Sequence, residues 1–81
     1  MQGVIRLINN EDALAAVQTE HGEYSVLGLL GNYDVEVGDV VSGPLQALDE
    51  QRVVNETKGV TMTVYIEDIE LSLEAALERL G

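Results

Sequence analysis

Val35-Glu36-Val37-Gly38-Asp39-Val40-Val41-Ser42-Gly43 is the stretch whose reading decides the fold. Gly38 and Asp39 are turn formers set between two valine-rich runs, a pattern that predicts a sharp corner feeding directly into a strand. Such a corner organises a β protein but specifies no chemistry.

Outward from the corner, the apolar residues keep a two-residue period over most of the chain. Upstream, residues 3–9 carry Val4, Ile5, Leu7 and Ile8 broken only by Arg6, and their β-branched content predicts a strand. Asn9-Asn10-Glu11-Asp12 turns the chain. Residues 13–20 are ambiguous, because Ala13, Leu14, Ala15 and Ala16 are good helix formers. The segment is short, ends in Val17-Gln18-Thr19 and lies between two turn signals, so it is read as a strand. His21 and Gly22 then form the centre of a predicted two-residue hairpin, with positive φ expected at both. Residues 23–30 follow as a third strand, in which Gly28 predicts a bulge or a close crossing.

Downstream, residues 39–48 read as a fourth strand, and Pro44 within it implies a bend or a free edge because proline cannot donate to a ladder. Asp49-Glu50-Gln51 is expected to reverse the chain, residues 52–57 to continue it extended, and Lys58-Gly59 to turn it again. Residues 60–67 have the cleanest alternation, with Val60, Met62, Val64 and Ile66 predicted inward and Thr61, Thr63, Tyr65 and Glu67 outward. The period then changes. Ser72 is a good N-cap, Leu73, Ala76, Leu77 and Leu80 share a helical face, and Gly81 stands where a helix stops, so residues 72–80 are predicted helical. So short a helix must dock its leucines on the sheet, and plugging one end of a barrel would do this. The expectation is a mainly β chain of 81 residues forming one domain, a five- or six-stranded antiparallel barrel with a short C-terminal α-helix.

Composition narrows the function. A chain of this size has on the order of 4 to 12 kcal/mol of net stability, and without cysteine no disulfide or thiolate metal site supplements its core. Its start lacks the pattern of a secretory signal and no run reaches the length of a membrane span, so a soluble, cytoplasmic chain with no membrane partner is expected. Fifteen acidic residues against four basic ones give a formal net charge of -11. Polyanions are thereby repelled and basic partners favoured.

The opening Gly3-Val4-Ile5-Arg6-Leu7-Ile8-Asn9 resembles the first strand of cold-shock-type OB domains, and Val37-Gly38-Asp39-Val40-Val41-Ser42-Gly43 resembles the turn and following strand of OB folds that bind RNA. The order of elements extends the likeness over residues 3–66, although residue identity is confined to those two pieces. The resemblance implies an OB-like fold and single-strand binding by aromatic side chains above a basic groove. The chain departs from that pattern: the stretch matching the second strand is Ala13-Leu14-Ala15-Ala16-Val17, there is no Phe or Trp, and a closing helix is added. Its possible ligand-binding residues are Arg6, Tyr24, Tyr65, Arg52 and Lys58, with Tyr24 and Arg6 foremost.

Other chemistry has less support. His21 has no second histidine or cysteine with which to hold zinc. Glu67-Asp68-Ile69-Glu70 and Glu74 match no calcium-loop spacing. Ser25, Ser42 and Ser72 lie in no nucleophile motif, and the glycines form no phosphate loop. Asn55-Glu56-Thr57 fits the glycosylation acceptor pattern and, with no secretory signal expected, is read as a chance match. The expectation is a non-catalytic acidic binding or assembly module, without a cofactor, whose partner is protein: a basic surface, or a second copy joined along an edge near Pro44. Nucleic-acid binding through the exposed faces of the first three strands is the competing reading.

Overall fold

The computed structural model describes all 81 residues. Six strands follow one another, β1 (Gln2–Asn9), β2 (Leu14–Thr19), β3 (Tyr24–Leu29), β4 (Val40–Ser42), β5 (Asp49–Asn55) and β6 (Val60–Leu71), and helix α1 (Leu73–Leu80) closes the chain. The strands form a closed barrel in the order β1-β2-β3-β6-β5-β4, and every neighbouring pair is antiparallel. Two three-stranded meanders are thus joined by the β3–β6 and β1–β4 pairings.

The valine corner turns where the sequence places it. Gly38 adopts φ +100° with open space where a Cβ would stand, so the backbone conformation alone calls for glycine there. Its N–H donates to the Ile5 carbonyl at 2.8 Å, and the Ile5 N–H donates to the Asp39 carbonyl at 2.9 Å. The corner is stitched to β1 before β4 begins.

Alternate side chains divide between two cores. Ile5, Ala15, Val17, Leu27, Val41, Leu45, Val53, Met62, Val64 and Ile66 fill the barrel interior. Leu14, Ala16, Tyr24 and Val26, of opposite parity on β2 and β3, form a second cluster outside the wall with Ala76 and Leu80 of α1. A register shift between Ile5 and Leu7 in the β1–β2 ladder makes this possible. It inserts Arg6 as an extra residue, so Leu7 turns outward to the second cluster while Ile8 packs on the interior.

The helix therefore lies along the outer wall of β1–β3 and does not plug an end. Ser72 Oγ accepts from the Ala75 N–H at 3.2 Å, Gly81 closes the C-terminus at φ +83°, and the Asn9 side-chain amide donates to the Leu80 carbonyl at 2.6 Å. Leu80 and Ala76 are buried as the pattern requires, whereas Leu73 and Leu77 stand about half exposed, at 45% and 48%.

Other elements differ from expectation for identifiable reasons. The predicted fourth strand, 39–48, stops at Ser42, because Gly43 takes φ +144° against the backbone of Arg52 and Val53 and Pro44 begins a turn. That turn drops Leu45 into the interior, where Ser25 Oγ donates to its carbonyl at 2.7 Å. Thus a loop leucine, and not the helix, seats in the barrel interior. Since β4 pairs with β1 on one side and β5 on the other, it offers no free edge beside Pro44. Asp49-Glu50-Gln51 does not reverse the chain but opens β5, and β6 continues to Leu71, beyond the expected residue 67. Val60 is exposed at the start of β6, not inward. The β2–β3 connection is also longer than two residues: only Gly22 has positive φ, and the Thr19 N–H donates to the Glu23 carbonyl at 2.8 Å.

Candidate functional site

The five residues expected to meet a ligand are not gathered. Arg6 projects from the β1 bulge and its Nε donates to Gln18 Oε1 at 3.1 Å. Tyr24 is buried beneath α1, and the helix covers the outer faces of β2 and β3 that the competing reading needs open. Lys58, in the β5–β6 turn, pairs with Glu36 and lies 3.5 Å from Asp39. Only Arg52 and Tyr65 are neighbours: Arg52 stands opposite Thr63 and Glu50 opposite Tyr65, which makes Arg52 and Tyr65 a diagonal pair on the outer face of β5–β6. The Tyr65 hydroxyl donates to Asp49 Oδ1 at 3.0 Å, and this bond, with the charge of Asp49, raises its pKa above the ordinary 10.0.

The acidic run before the helix has a structural partner. A register shift between the Val26–Asp68 and Leu27–Ile66 pairs inserts Glu67, and both Glu67 and Asp68 reach Arg79 of α1, the former at 2.7 Å. The bond to Asp68, then that to Glu67, raises the Arg79 pKa. No group of three or more Asp, Glu and His side chains is arranged to hold a metal ion.

One polar junction went unrecognised in the sequence. Asp39 is 4% exposed and accepts from Asn55 Nδ2 at 2.9 Å and from the Glu36 N–H at 3.0 Å. Asn55 Oδ1 in turn accepts from the Lys58 N–H at 3.0 Å. Burial works to raise the Asp39 pKa, but the Asn55 and Glu36 donors and the Lys58 charge outweigh it, and the carboxyl is held below its ordinary 3.8. The apparent glycosylation asparagine is therefore a buried link between β4 and β5. Lys58 and Asn55 also line a cleft of about 240 Å³ with Tyr33, Asp34, Val60 and Met62. Every buried side-chain polar atom has a partner, so the junction is complete without a ligand.

A second cleft, about 400 Å³, opens between the C-terminal half of α1 and the end of β1. Leu7, Ile8, Leu77 and Leu80 line it, with Asn9, Asn10, Glu11 and Gly81 around them. Nothing in the sequence warned of it: Leu73, Ala76, Leu77 and Leu80 share one helical face expected to dock whole, and only Ala76 and Leu80 are buried.

Fold and surface together define the class, a small closed antiparallel barrel carrying an external helix, compatible with an OB-like fold. Compared with known proteins, the chain matches no family model, no curated protein and no solved structure.

Proposed function

We propose that the chain is a non-catalytic, OB-like binding or assembly module of the cytoplasm whose partner is a protein with a basic surface. The arrangement of charge carries the reading. Of four basic side chains, Lys58 and Arg79 are already paired with carboxylates, and Arg6 and Arg52 project from strands that are not neighbours, against a formal net charge of -11. Gripping a single strand requires cations gathered beside stacking aromatics. A basic protein surface meets the opposite situation, because the field of the whole molecule draws it in.

The nucleic-acid reading keeps one supporting observation, the exposed Arg52–Tyr65 diagonal. Anisotropy titration of a labelled single-stranded oligonucleotide at low salt tests it. We expect no saturation below about 100 μM, weaker than the usual range for non-specific binding. Saturable micromolar binding that Tyr65→Ala weakens would overturn the protein-partner reading.

A further inference from the structure

From the cleft between α1 and β1, we infer that the chain docks a short amphipathic basic segment of another protein, its apolar side chains seated over Leu77 and Leu7 and its cations on the surrounding carboxylates. The inference rests on the protein-partner reading and assigns it a place and a chemistry.

The cleft floor is built from side chains that folding leaves incompletely used. Leu80 is buried in the outer cluster, but Leu77, one turn earlier, is 48% exposed, and Leu73, four residues before it on the same face, is 45% exposed. Leu7 is partly buried against the same cluster, turned there by the Arg6 bulge. Continuity from the buried cluster to the exposed leucines gives an incoming apolar side chain a firm floor. A helix laid into such a groove presents its own apolar anchors at i, i+3, i+4 and i+7.

The rim decides the occupant. Glu11 lines the cleft, and Glu74 and Glu78, four residues apart, stand on the exposed flank of α1 beside Leu73 and Leu77. The nearest helix cation, Arg79, faces the other way and is held by Glu67 and Asp68. Apolar anchors within unpaired carboxylates are complementary to leucines flanked by lysine or arginine. A second copy fits poorly, because a two-fold contact would set this acidic rim against itself.

The test uses the isotope-labelled full chain and two peptides of about 14 residues: one with leucines at helical spacing among lysines, the other with serines replacing the leucines. The leucine peptide should shift the amides of Leu7, Ile8, Leu77 and Leu80, and the serine peptide should bind at least about tenfold more weakly. Leu77→Ser, at a position already half exposed, should lose about tenfold in affinity with its thermal midpoint little changed, and Glu74→Lys with Glu78→Lys should weaken binding and reduce its salt dependence. Equal binding of both peptides, or unchanged affinity of Leu77→Ser, overturns the docking site while leaving a charge-driven binding module standing. Binding of neither peptide overturns both. Sedimentation of a dimer that Leu77→Ser dissolves would assign the cleft to a second copy and overturn the basic partner.

Discussion

The β2–β3 wall of the barrel is buried on both faces; the β5–β6 wall is buried on one. On the first, Ala15, Val17 and Leu27 point inward while Leu14, Ala16, Tyr24 and Val26 point outward beneath α1. On the second, Val53, Met62, Val64 and Ile66 point inward, and Glu50, Arg52, Thr61 and Tyr65 meet water. The difference explains two unlike patterns in one sheet: a near-continuous apolar run over Leu14–Val17 and strict alternation over Thr61–Ile66. It also means that the outer faces of β2 and β3 are closed to a ligand. In this chain that side of the barrel is occupied by its own helix.

The sharpest way to break the comparison is to place the same charge on each outer face. Val26→Asp would bury a carboxylate between β3 and α1, at a site with no solvent exposure, and should cost more than about 4 kcal/mol, enough to unfold much of the protein. Thr63→Asp would place it opposite Arg52 on the wet wall and should change stability by less than about 1 kcal/mol. Urea unfolding measures both. Similar losses at the two sites would mean that the walls do not differ energetically as their burial says.

The wet wall was the legible one. Its alternation placed Met62, Val64 and Ile66 inward and Tyr65 outward from the sequence alone, and the closed antiparallel barrel with a C-terminal helix followed from the same period and the turn residues. The covered wall was harder because a continuous apolar run states that both faces are buried without stating by what. The Arg6 bulge was hidden as well: an inserted residue changes which neighbours share a face, and Arg6 flanked by Ile5 and Leu7 fits either register. Gly43-Pro44 signalled a bend, but its result, a loop leucine seated in the interior, depends on contacts across the barrel. The Asp39–Asn55 junction joins residues 16 positions apart whose partnership no local pattern encodes. The cleft was not legible either: the helical period puts Leu73 and Leu77 on the docking face, and only the placement of α1 on the wall shows that they stay half exposed.

A middle-sized effect tests how the thinner side of the barrel is held. The three residues of β4 have few ladder bonds, and the Asp39 junction ties their start to β5 and to the corner. Asp39→Ala would leave the Asn55 amide and the Glu36 N–H without their acceptor, and should cost about 2–4 kcal/mol by chemical denaturation. The pH dependence has a definite sign. Because the folded carboxyl titrates below its unfolded value of 3.8, the stability from ionised Asp39 is complete above that pH and is lost as pH falls through the folded pKa. Asp39→Asn removes that contribution. The stability difference between wild type and Asp39→Asn should therefore be constant near neutrality and shrink below about pH 4; a difference that stays constant to pH 2 would show that the charge is not what holds the junction.

The smallest effect asks whether the cover and the wall beneath it are one cooperative unit. Ser72→Ala removes the acceptor for the Ala75 N–H and should cost about 1 kcal/mol. An eight-residue helix is not stable alone, so α1 persists only by its contacts with the wall. The converse also holds, since lifting α1 would expose Leu14, Ala16, Tyr24 and Val26 together. Burying one large apolar side chain is worth roughly 1.5–3 kcal/mol, so a state with the helix undocked and the barrel intact lies well above a loss of 1 kcal/mol. The capping defect should accordingly appear as a lower urea midpoint with an unchanged slope, the slope being set by the surface exposed on unfolding. A reduced slope, or helical signal lost before the main transition, would mean that α1 leaves first. The covered wall would then be a detachable layer, and the cleft at its edge would open and close with the helix.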